Sequence, residues 1–337
     1  MQSVTIPCVV TLSDIREAQV RLRGVAVRTG LIQFHVHETD DHDERKLYLK
    51  PENLQPIGAF KLRGAYNKIA QLPAEERARG VITYSSGNHG QGVAYAARAL
   101  GTKAVVVMPN NAPMRKREAT KALGAEIVLV GPGSEERQQK AEELAQRHGY
   151  AIVPPFNDEK VIAGQGTMGL EILEDLPEVE TILVPVGGGG MLSGISTAIK
   201  LSKPSVNVIG VEPELAADAR ASLRAGRIIQ LSAEEVTQTS ADGLRTQSLG
   251  EITFEHIRRY VDDIVTVSEY EIRQTLRQLV ADPKTAAEPS GAVAVAAFLF
   301  HRNELPKTNV HVAVISGGNI EQQVLQEIRE EVSPTAQ

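Results

Sequence analysis

Short apolar runs alternate with amphipathic stretches along most of the chain, and this alternation constrains the fold more than any other feature of the sequence. Each apolar run has the length of one buried strand, and each amphipathic stretch has the length of one helix. Strands and helices in strict alternation predict βαβ units, in which the strands lie parallel in one sheet. We therefore expect an α/β fold whose ligands bind at the carboxyl ends of the strands.

Residues with known capping preferences bound the predicted helices. Thr11 and Asp14 offer N-terminal caps for a first helix, and Gly101, Gly124 and Gly149 each follow a predicted helix where a left-handed C-cap is expected. The predicted strands span residues 46–50, 80–84, 103–108, 126–130, 151–153, 181–186, 206–211 and 310–316. The predicted helices span residues 88–100, 113–123, 134–148, 162–176 and 191–201.

The length of 337 residues exceeds one typical domain and suits the two lobes of an α/β enzyme. Trp is absent and aromatic residues make up only 4% of the chain, so the core must consist mainly of aliphatic side chains. The net charge of −6 argues against a nucleic-acid-binding protein.

The cellular compartment is predicted from features that the sequence lacks. Cys8 is the single cysteine, so neither an internal disulfide nor a cysteine cluster for zinc can form. The N-terminal segment has no basic region before an apolar one, and no apolar run reaches the length needed to cross a membrane. We expect a cytoplasmic protein that binds neither membranes nor nucleic acids.

Lys61 lies at the start of a helical pattern, after Gly58 and Ala59. A helix N-terminus and burial both disfavour a cation, so the pKa of this amine is expected to be lowered. A neutral amine is the nucleophile that carbonyl chemistry requires. Because lysines are mostly exposed, the position alone does not decide between this role and an ordinary surface lysine.

Three further loops each follow a predicted strand. Ser85 to Gly92 combines two serines, three glycines, an Asn and a His before a helix, which suits a carboxylate ligand or an ordinary capped turn. Gly187, Gly188, Gly189 and Gly190 let backbone amides converge on a phosphate at a helix start. Ser316 ends the last strand, where its hydroxyl is able to face a ring nitrogen.

Together these segments resemble the fold-type II pyridoxal-phosphate (PLP) enzymes, specifically the threonine/serine dehydratase and serine racemase family in its short form without a regulatory domain. The resemblance covers about residues 11–325. The matching segments, in the order of the family, are GAFKLRGA, SSGNHGQG, AGQGT, PVGGGGMLSGI, TSADGL, EPSGAV and SGGN.

The resemblance implies two open twisted sheets flanked by helices, as in enzymes like the tryptophan synthase β subunit. It implies a large PLP-binding domain formed by residues 1–72 and 158–337, a small domain formed by residues 73–157, and a homodimer.

The resemblance also implies roles for individual residues. Lys61 carries PLP as a Schiff base with Phe60 against the ring, Asn88 bonds the ring hydroxyl, and the four glycines hold the phosphate. Ser316 faces the pyridine nitrogen. Ser86 is the acid/base on the face opposite the lysine in racemases. The residues implied in binding the substrate carboxylate are Ser85, Ser86, Asn88, His89 and Arg137.

A divalent cation, Mg²⁺ or Ca²⁺, is implied by a second match, at Glu212 to Asp218. In the family such a segment binds the ion through two carboxylates and a backbone carbonyl. Glu212, Asp218 and the carbonyl of Ala216 provide the oxygen ligands that hard cations prefer. A solvated acidic turn is the alternative interpretation.

The implied reaction is the elimination of water from L-threonine or L-serine, which yields a 2-oxo acid and ammonia. Two alternatives stay open: a serine racemase with side dehydratase activity, and a dehydratase for a hydroxyaspartate or a hydroxyectoine breakdown product. Three positions depart from the usual family pattern, namely Gly30, Tyr84 and Phe156. Phe156 favours the dehydratase, because racemases commonly have Asn there.

Overall fold

The structure is a computed structural model that describes residues 9–35, 45–85, 87–112, 114–131 and 133–332. Its strands are β1 Ile32–Phe34, β2 Lys46–Pro51, β3 Val81–Tyr84, β4 Ala104–Pro109, β5 Glu126–Val130, β6 Ala151–Ile152, β7 Thr181–Pro185, β8 Asn207–Pro213, β9 Asp263–Val267 and β10 Val310–Ile315.

Helices cover both sheets. They are α1 Leu12–Arg21, α2 Lys61–Ala70, α3 Ala74–Arg79, α4 Asn88–Ala99, α5 Met114–Ala122, α6 Ser134–His148, α7 Glu159–Asp175, α8 Gly190–Ser202, α9 Asp218–Ala225, α10 Ala233–Val236, α11 Glu251–Tyr260, α12 Glu269–Leu279, α13 Pro289–Phe300 and α14 Gln322–Val332. Short 3₁₀ turns occur at Glu52–Leu54, Glu214–Ala216 and Asp242–Leu244. No helix among the described residues is long and apolar enough to cross a membrane.

The strands form two sheets, one with the order β1-β2-β10-β7-β8-β9 and one with the order β5-β4-β3-β6. The small sheet is parallel throughout, as the alternation of strands and helices predicts. In the large sheet β1 pairs antiparallel with β2, so the expectation of purely parallel sheets is wrong at this edge. An antiparallel edge strand needs no crossover helix, which is why the alternation does not reveal it. The predicted domain boundaries at 72/73 and 157/158 stay a prediction.

The predicted caps are confirmed. The Thr11 hydroxyl accepts a hydrogen bond from the backbone N–H of Asp14, and the Asp14 carboxylate accepts one from the backbone N–H of Thr11, which completes a capping box. Gly101, Gly124 and Gly149 have φ angles of 66°, 92° and 71°, the left-handed region that glycine adopts without strain. These caps fix where the connecting loops begin.

Helix α13 lies across the large sheet and is buried along nearly its whole length. Every residue from Ser290 to Phe298 is buried, because the helix packs against four strands of the sheet. A helix that is apolar on all sides is stable only in such a position. The burial of α13 carries its N-cap residue, Glu288, into the interior at the edge of the site described below.

Candidate active site

A cavity of about 450 Å³ lies where the loops after β3, β7 and β10 meet the start of α2. Most of the residues predicted for cofactor and substrate line this cavity, although they come from distant parts of the chain. They are Phe60, Lys61, Ser85, Asn88, His89, Arg137, Gly187, Gly188, Gly189, Gly190 and Ser316. Ser86 lies outside the described residues.

Lys61 is the first residue of α2, and its loop is held against the strand end at β10. The backbone N–H of Phe60 donates to the carbonyl of Ser316 at 3.1 Å, and Ala59 forms an isolated bridge with Gly317. The Lys61 Nζ donates to the carbonyl of Pro155 at 2.8 Å and lies 5.1 Å from the centre of the Phe60 ring. Lys61 therefore has a defined position at the cavity wall.

A buried ionic network anchors helix α2 behind Lys61. Arg63 donates from Nε to Glu52 Oε2 at 2.8 Å and from Nη1 to Glu171 Oε1 at 2.7 Å, and Lys50 Nζ donates to Glu171 Oε2 at 2.6 Å. Two cations balance two carboxylates, so no charge is left uncompensated in the interior. The network joins β2, α2 and α7 and fixes the helix that presents Lys61.

Burial lowers the pKa of Lys61 to about 8, as expected for an amine at the start of a helix in the interior. No acidic residue lies in the first turn of α2 to stabilise the ammonium form. Roughly a tenth of this amine is therefore neutral at pH 7, far more than of an exposed lysine, and the neutral amine is the form that attacks a carbonyl carbon.

The glycine loop between β7 and α8 leaves space for an anion. Gly189 has a φ of +89° and is the N-cap of α8, so the backbone N–H groups of the first turn face the cavity. A Cβ at Gly188 would lie 2.3 Å from the Phe156 ring, so only glycine fits there. The hydroxyl of Thr246 is buried without a hydrogen-bond partner among the described residues, and a Cβ at Gly187 would lie 3.4 Å from it.

These features fit a phosphate group. The backbone N–H groups donate to an anion at a helix N-terminus, and the unpaired Thr246 hydroxyl supplies one more donor. Ser316 is 5% exposed, and its hydroxyl donates to the carbonyl of Ser290 at 3.3 Å, a long hydrogen bond that a ring nitrogen is able to replace. The cavity thus offers an amine, an anion site and a hydroxyl, the set that PLP requires.

His89 is a neutral imidazole in this structure. It is 3% exposed, its Nε2 lies 2.9 Å from the carbonyl of Val153, and burial together with the charge of Lys61 lowers its pKa to about 3. Because a carbonyl only accepts, the proton is on Nε2, and Nδ1 is an acceptor. The ring therefore offers no donor to a carboxylate, whereas its backbone N–H in the first turn of α4 does.

Several charged residues that have no role in the sequence analysis line the cavity, among them Lys116, Asp242 and Glu288. The Lys116 ammonium pairs with the Asp242 carboxylate. Burial alone lowers the pKa of Lys116, but the charge of Asp242 outweighs it and the pKa is raised. Burial and the charge of Asp242 raise the pKa of Glu288 to about 7.

The sequence contains a partial signal for these residues. Asp242 and Glu288 belong to the TSADGL and EPSGAV segments, which match the family without indicating a function. Lys116 has no such signal, because it lies in a helix whose composition is that of a solvated surface. Only the fold brings Lys116 of the small sheet region to Asp242 of the large one.

Glu212 and Asp218 lie together at the end of β8, apart from the cavity. Both are 1% exposed, and Ala216 between them is also buried. Glu212 accepts hydrogen bonds from the backbone N–H groups of Ala219 and Arg220, whereas Asp218 Oδ2 has no hydrogen-bond partner among the described residues. Within those residues no cluster of three or more His, Cys, Asp or Glu side chains occurs that could hold a metal. The oxygen atoms available here as metal ligands belong to two carboxylates and, at most, one backbone carbonyl.

Comparisons with known proteins identify the family. Residues 27–317 match the family described as pyridoxal-phosphate dependent enzyme. The chain is 48% identical to the L-threonine ammonia-lyase of Thermotoga maritima over 320 residues, which are 95% of this chain and 78% of that protein.

Two solved structures are similar over nearly the whole chain. The threonine deaminase from T.th. has a TM-score of 0.86 and 44% identity, and the match covers 92% of this chain and 99% of that chain. The maize serine racemase has a TM-score of 0.89 and 36% identity, and the match covers 96% of this chain and 98% of that chain. The chain therefore belongs to the pyridoxal-phosphate dependent enzymes, within the fold-type II family of threonine/serine dehydratases and serine racemases.

Proposed function

We propose that this protein is an ammonia-lyase that converts L-threonine or L-serine to a 2-oxo acid and ammonia. The observation that carries the proposal is the placement of the Lys61 amine, with its lowered pKa, in the same cavity as the glycine loop at the start of α8. The likeness to the L-threonine ammonia-lyase of Thermotoga maritima supports the choice of substrate.

The cofactor would be held mainly by residues of the large sheet region, with Asn88 from the small one. Lys61 would bind it covalently, Phe60 would pack against its ring, and the backbone of Gly187, Gly188, Gly189 and Gly190 would bind its phosphate. Ser316 would face the ring nitrogen, and Asn88 would bond the ring hydroxyl. When bound, PLP acts as the electron sink for the carbanion that forms at the substrate α-carbon.

The substrate carboxylate lies at the start of α4. Ser85 offers its hydroxyl, His89 offers its backbone N–H, and Arg137 adds a positive charge from α6. Ser86 and Asn88 complete this set. The alignment of backbone N–H groups at a helix N-terminus favours a carboxylate there without any further cation.

Lys61 also serves as the base. With the substrate bound, the Lys61 Nζ would accept the proton of the α-carbon, because its lowered pKa leaves part of the amine neutral near pH 7. The β-hydroxyl leaves as water, and hydrolysis then yields the 2-oxo acid and ammonia. This route requires a base on one face of the substrate only.

A serine racemase is the second candidate, supported by the likeness to the maize enzyme. Racemisation requires a second acid/base on the opposite face, the role that we assign to Ser86. Phe156 lies against the glycine loop, where racemases commonly have Asn, and it favours the lyase.

The deciding experiment gives the holoenzyme L-threonine, L-serine and threo-3-hydroxyaspartate in separate assays. In each, the 2-oxo acid, the ammonia and the ratio of enantiomers are measured together. We expect 2-oxo acid and ammonia in equal amounts from L-threonine or L-serine, formed much faster than any D-isomer. If the D-isomer is the main product, the protein is a racemase; if only hydroxyaspartate reacts, the substrate assignment is wrong.

We further propose that a divalent cation binds Glu212, Asp218 and the carbonyl of Ala216. The support is the unpaired Asp218 Oδ2, since a buried carboxylate oxygen without a donor favours a cation partner. A homodimer and a cytoplasmic location also stay proposals. Sedimentation of the purified protein tests the dimer.

A further inference from the structure

The side-chain amide of Asn88 is bonded at both ends in the cavity wall. Its Nδ2 donates to Glu288 Oε1 at 2.6 Å, and its Oδ1 accepts from Asn319 Nδ2 at 2.8 Å. Glu288 and Asn319 lie 200 and 231 residues away in sequence. Two distant segments therefore meet the same amide, one at each end.

The two partners require opposite ends of the Asn88 amide. Asn319 Nδ2 also donates to the backbone carbonyl of Ile57 at 2.9 Å, and a carbonyl only accepts, so this end of Asn319 must be the NH₂ group. It follows that Asn88 must present its oxygen to Asn319. The Glu288 oxygen accepts at the other side, so Asn88 must present its NH₂ group there.

The surrounding backbone leaves room for this arrangement and little else. A Cβ at Gly317 would lie 2.6 Å from Glu288 Oε1 and 3.2 Å from Asn88 Nδ2. A Cβ at Gly58 would lie 2.5 Å from Asn319 Oδ1. The glycines of the SGGN and GAFK segments therefore admit the three polar side chains, which accounts for glycine at both positions.

We propose that Glu288 and Asn319 are positioning residues that fix the orientation of the Asn88 amide, so that its second N–H faces the cofactor. The inference rests on the proposed function, because it assumes that Asn88 bonds the ring hydroxyl. Asn88 Nδ2 has two hydrogens, and among the described residues Glu288 accepts one of them. A flipped amide would present its oxygen, which has no hydrogen to donate.

Glu288 has a competing interpretation as a proton-transferring group, since it is buried beside charged neighbours. Lys116 of α5, Asp242 of the 3₁₀ turn before Arg245, and Asn88 of α4 are the groups that act on it. The two roles predict different results for Glu288→Gln. A glutamine keeps an oxygen for Asn88 Nδ2 but transfers no proton, so it preserves positioning and abolishes acid/base function.

The test compares holoenzymes of the wild type, Glu288→Gln, Glu288→Ala and Asn319→Asp. For Glu288→Gln we expect kcat within about fivefold of the wild type, because a neutral acceptor replaces a charged one. For Glu288→Ala and Asn319→Asp we expect kcat to fall roughly 10- to 100-fold, with a smaller change in KM. Asn319→Asp places an acceptor against Asn88 Oδ1, so the visible absorption band of the cofactor should shift as well.

Asn53→Asp is the matched control. Asn53 Nδ2 donates to the backbone carbonyls of Lys284 and Ala286 at 3.0 and 3.1 Å, outside the cavity, so the variant loses the same kind of donor. We expect it to lower the melting temperature while the absorption band and kcat stay at wild-type values. A band shift and a loss of kcat in Asn53→Asp equal to those in Asn319→Asp would overturn the proposal.

Two other results would also contradict it. If Glu288→Gln loses as much activity as Glu288→Ala, Glu288 transfers a proton. If Glu288→Ala does not fold, Glu288→Gln is compared with Asn319→Asp instead, and an equally large loss of kcat in these two variants would also mean that Glu288 transfers a proton. If Asn319→Asp keeps the wild-type band and kcat, the orientation of Asn88 does not matter. A wild type that binds PLP but releases no 2-oxo acid would refute the proposed activity, and the absorption band would still test the positioning of Asn88.

Discussion

Burial lowers the pKa of two basic side chains in the cavity, to about 8 for Lys61 and to about 3 for His89. Neither has a carboxylate that raises its pKa again, in contrast to Lys116, which pairs with Asp242 and stays an ammonium. Part of the Lys61 amine is therefore neutral near pH 7 and able to act as a nucleophile and base, whereas Lys116 stays charged and is neither. Neighbouring groups, more than residue type, therefore decide which lysine reacts.

The lowered pKa of His89, about 3, predicts a pH dependence of stability. The unfolded chain binds a proton at His89 near pH 6.5 and the folded chain does not, so stability is lost as the pH falls below about 6.5. Between about pH 7.5 and pH 5.5 this one group should reduce the free energy of unfolding by about 1.4 kcal/mol. His89→Gln lacks this titrating group. The difference in free energy of unfolding between wild type and variant should therefore change by about 1.4 kcal/mol between the two pH values.

The measurement is the free energy of unfolding from urea titrations of both proteins at the two pH values. His256, whose pKa burial lowers to about 4, titrates in both proteins and cancels in the difference. A difference that does not change with pH would mean that His89 is protonated in the folded state.

The sequence singles out candidate site residues where chemistry and local pattern coincide. Lys61, the four glycines and Ser316 are each predicted from a loop next to a strand or helix end, and all line the cavity. Glu288 and Asn319 have no local signal for their contacts with Asn88, because those contacts join segments 200 and 231 residues apart. Such roles follow only from the fold.

At the scale of elements, the junction of β7 with α8 combines a helix N-terminus with a glycine in the left-handed region. Gly189→Ala puts a Cβ at φ +89° and within 2.9 Å of Ile257 Cδ1 and Leu249 Cδ2. The left-handed backbone alone costs about 1–2 kcal/mol. We expect the loop to shift and the affinity for PLP to fall at least about tenfold, as measured by equilibrium dialysis.

Gly226→Ala provides the control for backbone strain. Gly226 has a φ of +66° and caps α9, with open space around the position of a Cβ. This variant should lose about 1–2 kcal/mol of stability and keep the wild-type affinity for PLP. Equal loss of affinity in both variants would show that the glycine loop has no special role in binding the cofactor.

The turn between β8 and α9 predicts a response to divalent cations. Removal of metal with a chelator should lower the melting temperature, and Mg²⁺ or Ca²⁺ should restore it, because a ligand that binds only the folded state stabilises it by mass action. At a concentration of about 100 times Kd the gain is about 2.7 kcal/mol. Asp218→Asn should abolish the response.

Glu214→Gln is the matched control, since Glu214 is an exposed carboxylate in the same turn. It should keep the full response to the cation. The absence of any chelator effect on wild-type protein freed of metal would refute a cation site at Glu212 and Asp218.

At the scale of the whole molecule, the site exists because two sheets of mainly parallel strands present the carboxyl ends of those strands to one cavity. The alternation of apolar runs and amphipathic stretches predicts the two-layer α/β units and most of their bounds. It does not predict β1 and β9, which have only three and five residues, or the helices after α8. The two strands are too short to show a clear periodic pattern. Helices α9, α11, α12 and α14 are amphipathic, so the sequence does contain a signal for them.

The buried helix α13 shows the same limit. Its run of apolar residues is compatible with a strand or a helix, and only its packing across the sheet decides between them. That packing also carries Glu288 to the cavity, so the tertiary structure determines both the element and its contribution to the site.

The most direct test of the account is reduction of the holoenzyme with borohydride, followed by peptide mapping and an assay with L-threonine. Reduction should fix PLP on Lys61 alone, and Lys61→Ala should abolish the release of 2-oxo acid, because the covalent link and the base are both lost. Lys116 is the matched control, since among the described residues it is the other lysine that lines the cavity. Lys116→Arg should leave the adduct on Lys61; an adduct on Lys116, or 2-oxo acid release by Lys61→Ala at the wild-type rate, would contradict the account.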